Sequence, residues 1–168
     1  MASEPVGMIG LGIMGSAMSV NLIKAGFEVA GFDVLVHARG AHKKAGGSLG
    51  VSCAEVAAEC PTVITSLPSA DALLETARDL AHARGVLKIV VETSTLPISV
   101  KEEARQILSK GGITLLDCPL SGTGAQARKK DLIVYASGEK QACEGVAPIF
   151  EGFSRAHYYV GEFGSGSK

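Results

Sequence analysis

Short apolar runs alternate along the chain with longer segments in which apolar side chains recur at spacings of three and four residues. The short runs predict β-strands, at residues 6–9, 28–32, 62–67, 87–92, 113–117, 132–137 and 157–160. The longer segments predict helices over residues 16–25, 53–60, 70–83, 97–110 and 139–153. The polar, basic segment 34–47 predicts a surface helix, and 126–130 predicts a short basic helix. Pro148 interrupts the last helix, and Ser52 with Glu55 forms a predicted capping box.

Strands that alternate in this way with helices form right-handed βαβ crossovers. The predicted strands are continuous apolar runs, as burial on both faces of a parallel sheet requires. We therefore predict an α/β fold of the Rossmann type, with a doubly wound, mainly parallel sheet and helices on both faces. Residues 1–162 form one predicted domain, and the tail at 161–168 carries three glycines and no sign of core packing.

The first strand runs into a helix through Gly10-x-Gly12-x-x-Gly15. In a dinucleotide-binding turn the first glycine permits the tight reversal, the second lets the backbone approach a pyrophosphate, and the third lets helix and strand pack closely. In a chain with 21 glycines the triplet alone is equally compatible with an ordinary glycine-rich turn. The context favours the dinucleotide, because the second strand ends in Asp33, 18 residues after Gly15, where an acid meets the adenosine ribose.

Composition narrows the possible functions of the chain. With 168 residues, 46% of them apolar and 20% charged, the chain fits one globular domain. The net charge is −1 and the basic residues are scattered, so we expect no nucleic-acid partner. Glycines and polar residues break every apolar run, so we expect no membrane span, and the start of the chain lacks a targeting pattern and suggests a cytoplasmic protein.

Cysteines and histidines predict no metal site. The cysteines form no C-x-x-C pair and no cluster with histidine at zinc-ligand spacing, and buried reduced thiols are expected at 53, 60, 118 and 143. The four histidines fall in segments predicted to be helix or loop surface, and none lies in a catalytic motif.

In open α/β sheets the ligand lies outside the carboxyl ends of the strands. Three further strand ends carry candidate residues: Leu67-Pro68-Ser69, Thr93-Ser94-Thr95 and Ser121-Gly122-Thr123-Gly124. The residues of the first two are compatible both with contact to a cofactor and with simple helix capping. The third could form an anion-binding nest, and a plain βα loop is the alternative. Asp117 also ends a strand, where a structural role is equally possible.

These motifs together resemble the β-hydroxyacid dehydrogenase family over essentially the whole chain. The fingerprint at 7–15 is followed by Met18 and Asn21-Leu22, as in that family, and Leu67-Pro68 resembles its cofactor-contacting pair. The segment 92–95, Glu-Thr-Ser-Thr, resembles its Asp-x-Ser-Thr, and the segment 117–123 resembles its substrate loop, Asp-Ala-Pro-Val-Ser-Gly-Gly. Glu92 and Thr123 depart from the family's residues, and Thr123 favours a more polar substrate.

The resemblance implies a site for NAD, with NADP possible, and hydride transfer with a small hydroxy acid or semialdehyde acid. The implied cofactor-binding residues are Gly10, Leu11, Gly12, Ile13, Met14, Gly15, Asp33, Leu67, Pro68 and Thr95, and the implied substrate-binding residues are Ser121, Gly122 and Thr123. Asp33 favours NAD because it would repel a 2′-phosphate, whereas Arg39 and Lys43 leave NADP open. The family's catalytic lysine, in Gly-x-Gly-x-x-x-Lys, would fall two residues beyond Lys168.

The family also carries a C-terminal helical domain that closes the cleft and builds the dimer. The resemblance therefore implies that residues 163–168 begin a connection to such a domain, that the whole protein is a homo-oligomer, and that these residues alone are inactive. It further implies an exposed apolar surface near the last strand. Two alternatives stay open: a non-catalytic dinucleotide-binding module, and a decarboxylating sugar-acid dehydrogenase or imine reductase on the same scaffold.

Overall fold

The computed structural model describes residues 3–168 and shows strands alternating with helices along that range. The strands are β1 (Val6–Ile9), β2 (Val29–Phe32), β3 (Ser48–Leu49), β4 (Thr62–Thr65), β5 (Ile89–Glu92), β6 (Thr114–Asp117), β7 (Leu120–Ser121), β8 (Ile133–Ser137) and β9 (Ala156–Gly161). The helices are α1 (Ile13–Lys24), α2 (Val36–Lys44), α3 (Cys53–Glu59), α4 (Ala70–His82), α5 (Ile98–Lys110), α6 (Gly124–Arg128), α7 (Lys140–Gly145) and α8 (Ala147–Phe153).

All of these strands belong to one sheet, whose order is β3-β2-β1-β4-β5-β6-β8-β7, with β9 also paired to β8. The strands from β3 to β6 are mutually parallel, and β8 runs antiparallel to β6 and β7 and parallel to β9. The order reverses beside β1, where the chain passes from β2 and β3 on one side to β4 on the other. The predicted Rossmann-type, mainly parallel sheet is therefore confirmed.

The carboxyl ends of five parallel strands lie level with one another. In the strand register, Ile9 pairs with both Phe32 and Thr65, Thr65 pairs with Glu92, and Glu92 pairs with Asp117. The loops that follow these residues consequently emerge at one edge of the sheet. This edge brings the glycine-rich turn, Asp33 and the later strand ends to one region, as ligand binding in such sheets requires.

The sheet is covered on both faces by separate apolar clusters. One cluster joins α1 and α8 to the sheet through large side chains such as Leu22, Phe150 and Phe153. The other joins α3, α4 and α5 to it, through side chains such as Val56, Leu80 and Leu108. Each fully buried Leu or Phe side chain contributes about 1.5–3 kcal/mol relative to an exposed one, so the two clusters dominate the stability of the fold.

Several features differ from those expected. The two-residue strand β3 was not predicted, because both of its side chains are exposed and it has no apolar run. Strand β7 forms within the segment that was expected to be loop. The tail was expected to lie outside the core, and this was wrong: Phe163 packs against the cluster formed with α5, and Gly164 is buried.

Strand β9 lies at an edge of the sheet and exposes apolar and aromatic surface. Tyr158, Tyr159 and Val160 are 53%, 43% and 40% exposed, which agrees with the surface expected near the last strand. Over residues 3–168, the structure contains no helix with the length and apolar character needed to cross a membrane.

Candidate functional site

The glycine-rich turn between β1 and α1 has one face closed by protein and one face open. A Cβ at Gly10 would lie 2.0 Å from the Ser66 carbonyl oxygen, and a Cβ at Gly15 would lie 1.9 Å from the Gly10 carbonyl oxygen. Both positions therefore exclude any side chain, and Gly10 also has a φ of +94°. A Cβ at Gly12, in contrast, would have nothing within 4 Å, so this glycine borders open space.

Helix α1 begins at this open face with unpaired backbone donors. The first N–H groups of any α-helix lack intrahelical partners, and at α3, α4 and α6 one of them is satisfied by Ser52, Ser69 or Thr123. Helix α1 starts after Gly12, which has no side chain to cap it, and α2, α5, α7 and α8 likewise have no side-chain cap. The exposed Gly12 and Ile13 flank this end, and the N–H groups and helix dipole favour an anion such as a diphosphate.

Asp33 directly follows β2 beside this turn and is held by two backbone donors. Its Oδ2 accepts a hydrogen bond from the Leu11 N–H at 2.7 Å, and its Oδ1 accepts one from the Leu35 N–H at 2.9 Å. A carboxylate offers about four lone-pair positions, so two stay available for the hydroxyls of a ribose. Leu11 contributes to the predicted site through this backbone contact, because its side chain is buried in the core.

Arg39 lies next to Asp33 and binds the main chain. Its Nη1 donates to the carbonyl oxygens of Asp33 and Val34, at 2.7 and 3.2 Å. Lys43, in contrast, lies exposed on α2. The turn at 33–36 itself presents apolar side chains to solvent, with Val34 80% and Val36 73% exposed.

The candidate strand ends at 67–69 and 93–95 are bonded to each other. Ser94 Oγ accepts from the Leu67 N–H at 2.8 Å, and Thr93 Oγ1 donates to the Thr65 carbonyl oxygen at 2.7 Å. These two hydroxyls are buried and used structurally, whereas Thr95 is exposed. Of the three hydroxyls, Thr95 is therefore the one placed to contact a ligand.

The neighbouring helix α4 resolves the role of Ser69. The Ser69 hydroxyl accepts from the Ala72 N–H at 3.2 Å, so this residue is a helix N-cap. Pro68 precedes it and is exposed at the edge of the site.

Glu92 lies beneath this turn with no exposure to solvent. Its carboxylate accepts from the Ser94 N–H and from the Thr65 hydroxyl. Burial raises the pKa of the Glu92 carboxyl above its usual range, and these hydrogen bonds and the positive charge of Lys101 oppose that shift. The carboxyl joins the ends of β4 and β5, so the turn that carries Thr95 is built on a buried acid.

The end of β7 and the turn after it place Ser121, Gly122 and Thr123 at the surface. The Thr123 hydroxyl accepts from the Gln126 N–H, and the Gln126 side chain accepts from the Thr123 N–H, which makes a complete capping box. Thr123 therefore supplies no free amide, although its hydroxyl can still donate. Gly122 has a φ of +143°, which an L-residue adopts only with strain.

Helices α1 and α6 are joined directly behind the site. The buried Asn21 side chain donates from Nδ2 to the Ala127 carbonyl oxygen at 2.8 Å. At the other end of α6, a Cβ at Gly124 would lie 2.6 Å from the Ile13 side chain. The helix that begins at the glycine-rich turn and the helix that follows Ser121–Thr123 are consequently in contact at both ends.

Lys101 and Asp117 form a buried ion pair that the sequence reasoning missed. The Lys101 Nζ lies 2.8 Å from Asp117 Oδ1, and both side chains are fully buried. The signal was present, because Lys101 shares with Ala104 and Leu108 the spacing that marks the inner face of α5. Asp117, whose role was open, therefore has a structural partner.

His42 was expected on the surface, and this was wrong. It is 4% exposed, with Nε2 3.2 Å from the Val29 carbonyl oxygen and Nδ1 3.0 Å from the Ser19 hydroxyl. Because a carbonyl oxygen only accepts, Nε2 carries the proton and Nδ1 accepts from Ser19. Burial lowers the pKa of His42, partly offset by its backbone hydrogen bonds. Gly31 and Gly47 make room for the ring, since a Cβ at either would lie within 2.8 Å of it.

The cysteines are free and buried, as expected. Burial raises the pKa of the Cys53, Cys60 and Cys143 thiols to about 11 and that of Cys118 well above its usual range. None of these thiols is therefore poised as a nucleophile.

Comparison with known proteins agrees with this geometry. Residues 5–161 match the family described as the NAD binding domain of 6-phosphogluconate dehydrogenase. Mouse mitochondrial 3-hydroxyisobutyrate dehydrogenase is 33% identical over 99% of this chain and 51% of its own length. The Arabidopsis thaliana glyoxylate/succinic semialdehyde reductase 1 is 31% identical over 97% of this chain and 57% of its own.

A solved structure of 3-hydroxyisobutyrate dehydrogenase from Mycobacterium tuberculosis with L-serine has a TM-score of 0.92 at 28% identity. The match covers 98% of this chain and 56% of that one. The chain thus spans about half the length of the curated relatives it matches. It belongs to the family of NAD-binding domains named for 6-phosphogluconate dehydrogenase, and its relatives are dehydrogenases and reductases of the 3-hydroxyisobutyrate dehydrogenase type.

Proposed function

We propose that these residues form the coenzyme-binding half of an NAD-dependent β-hydroxyacid dehydrogenase or semialdehyde-acid reductase. The observation that carries the proposal is the open space in front of Gly12, at the uncapped start of α1 and beside Asp33. A diphosphate fits this space, because its oxygens would accept from the N–H groups of α1. The ribose hydroxyls would then reach the free lone pairs of Asp33.

The remaining predicted contacts fall along the same edge of the sheet. Leu67, Pro68 and the exposed Thr95 would border the nicotinamide half of the coenzyme. The bound coenzyme supplies the chemistry, hydride transfer between its nicotinamide ring and the substrate carbon. The chain's own residues bind and orient it, and they leave the open side of the site for the substrate.

Ser121, Gly122 and Thr123 would hold the carboxylate of a small 3-hydroxy acid or of the corresponding semialdehyde acid. The exposed Ser121 and Thr123 hydroxyls can donate to an anion, whereas the Thr123 amide is already bonded to Gln126. A hydroxyl at 123 therefore adds a donor to the loop and favours a substrate with a further polar group. A semialdehyde acid agrees with the name of the Arabidopsis relative, a glyoxylate/succinic semialdehyde reductase.

The proton would be transferred by a lysine two residues beyond Lys168. The family's Gly-x-Gly-x-x-x-Lys motif begins here at Gly164 and Gly166. A lysine encoded at that position would support the dehydrogenase. Another residue there would oppose it and support a coenzyme-binding module without catalysis.

NAD is the proposed coenzyme in preference to NADP. The Asp33 carboxylate would repel a 2′-phosphate, and the nearby Arg39 is bonded to main-chain carbonyls. For the whole protein we further propose a cytoplasmic location, a C-terminal helical domain whose connection begins at 163–168, and a homo-oligomer built through that domain.

Calorimetric and thermal-shift titrations with NAD and NADP test the coenzyme site. At a concentration 100-fold above its Kd, a ligand stabilises the folded state by about 2.7 kcal/mol, which raises the Tm of a domain of this size by about 5–11 °C. No response to either coenzyme would refute the proposal.

Gly12→Ala provides the matched test of the open space. Its Cβ would project into the proposed diphosphate position without meeting protein atoms. It should therefore weaken NAD binding while the Tm without coenzyme stays nearly constant. Gly145→Ala is the control, because a Cβ there also meets nothing within 4 Å but lies on α7, and it should bind NAD normally.

A further inference from the structure

The buried ion pair between Lys101 and Asp117 is linked to the tail of the chain. Lys101 projects from α5 and Asp117 is the last residue of β6. Removing two charges from water costs several kcal/mol per ion, and their attraction offsets this only when further hydrogen bonds satisfy them. The partners of this pair therefore indicate what it is used for.

Those partners come from the tail. Ser167 Oγ donates to Asp117 Oδ1 at 2.7 Å, and the Ser167 N–H donates to Asp117 Oδ2 at 3.0 Å. Lys101 Nζ donates to the same Ser167 Oγ at 3.2 Å, which closes a ring of three groups. One residue earlier, the Gly166 N–H donates to Ser137 Oγ, which itself donates to the Asp117 carbonyl oxygen.

The tail approaches this ring from the edge of the sheet. Its first residue, Gly161, accepts from the Gly138 N–H at the end of β8. The Phe163 ring then lies under the Arg105 guanidinium, with its centroid 4.9 Å from the Arg105 Cζ. Gly164 packs on Ile98, the first residue of α5. The chain is thereby directed towards the start of α5, which directly follows the Thr95 turn.

Gly166 fixes the final approach. A Cβ at this position would lie 2.7–2.9 Å from the Tyr135 carbonyl oxygen, the Pro119 ring and the Asp117 carbonyl oxygen. The backbone is therefore pressed against the segment that leads into Ser121–Thr123. Ser167 follows immediately, between this segment and α5.

Resting on the proposed function, we infer that Lys101 and Asp117 are positioning residues that fix the chain at Ser167 and direct it into the site. An apolar pair could stabilise the core equally well, but it could not bind the Ser167 amide and hydroxyl in one orientation. The Asp117 carboxylate supplies two acceptors in fixed directions, and its ion pair with Lys101 holds it in place. In this way the ion pair sets the path of the tail, which runs between the Thr95 turn and the substrate loop.

Hydrogen exchange of the tail amides, followed by mass spectrometry, tests the inference on the 168-residue chain. The peptide covering 162–168 should be protected, and Ser167→Ala should increase its exchange by about 10-fold or more, as expected for loss of a hydrogen bond to a charged group. Ser167→Thr retains the hydroxyl and should restore protection. Ser167 is exposed, so neither change threatens the fold.

The double variant Lys101→Met/Asp117→Leu separates positioning from stability. It retains an apolar core of similar volume, so the Tm and the exchange of β1 and β4 should stay close to wild type. The tail amides should nevertheless exchange about 10- to 100-fold faster. Tail exchange equal to wild type in this variant and in Ser167→Ala would overturn the inference.

NAD titration of the same variants keeps the two proposals separate. In Ser167→Ala, coenzyme affinity should be unchanged within about twofold, because Ser167 lies at neither the glycine-rich turn nor the Thr95 turn. A wild-type chain that binds no coenzyme but protects its tail would refute the proposed function alone. A chain that binds NAD with an unprotected tail would refute the positioning role alone.

Discussion

Replacement of Asp33 by alanine gives the sharpest test of the coenzyme site. A hydrogen bond to a charged group contributes about 1.5–3 kcal/mol, so loss of the ribose contact should raise the Kd for NAD by about 10- to 150-fold. The change also removes the acceptor of the Leu11 and Leu35 N–H groups, at 2.7 and 2.9 Å. A fall in Tm is therefore expected, and binding must be measured below the transition.

The same variant should lose its discrimination against NADP. Two unit charges 4 Å apart repel by about 1 kcal/mol in water and about 4 kcal/mol at the effective dielectric constant near a protein surface. The half-buried Asp33 lies between these limits, so wild type should prefer NAD by about 5-fold or more. In Asp33→Ala the penalty disappears, and Arg39 is then the nearest charge to the 2′-phosphate.

Isothermal titration with both coenzymes measures these effects, with two comparison variants. Asp33→Asn removes the charge but retains one oxygen acceptor, so it should lose discrimination while keeping more of its stability. Asp79→Ala removes an exposed acid from the last turn of α4 and should bind as wild type does. Unchanged NAD affinity in a folded Asp33→Ala protein, or equal binding of NAD and NADP by wild type, would refute the reasoning.

Three further perturbations test other parts of the structure. Gly10→Ala should abolish NAD binding and lower the Tm, because its Cβ would meet the Ser66 carbonyl at 2.0 Å; a normal titration would contradict the turn geometry. Since burial raises the pKa of Glu92, wild type should lose stability relative to Glu92→Gln as the pH rises above about 4.5, and parallel denaturation curves across pH would count against this. Since burial lowers the pKa of His42, its contribution to the free energy of unfolding should be complete above pH 6.5 and should be lost as the pH falls. Urea titrations of His42→Gln should show a smaller loss of stability over the same pH range.

Periodicity was sufficient to predict the sheet and the main helices, because their apolar runs are long and both faces are covered. Apolar periodicity failed where backbone pairing, and not side-chain burial, determines the structure. Strand β3 pairs through its backbone with exposed side chains, and Leu120–Ser121 becomes a strand because β8 runs antiparallel beside it. Such pairings are long-range, and no local pattern encodes them.

The turn geometry of the site was predictable because glycine spacing and a terminal acid have direct steric and electrostatic meanings. The roles of the hydroxyl residues were not, because the sequence cannot show which partner each one takes. Thr93, Ser94 and Ser69 are used within the protein, and Thr95 stays exposed. The positions of Lys101 and His42 were missed for a related reason, since a buried polar residue depends on a distant partner that satisfies it.

The hydrogen bond from Asn21 to Ala127 has a consequence for how the two ligands would be accommodated. It ties the helix beneath the proposed diphosphate position to the helix beneath the proposed acid-binding loop, more than a hundred residues further along the chain. The two half-sites then form a single rigid frame whose spacing is set during folding. The distance between bound coenzyme and bound acid would then be determined by the folded protein before either ligand binds.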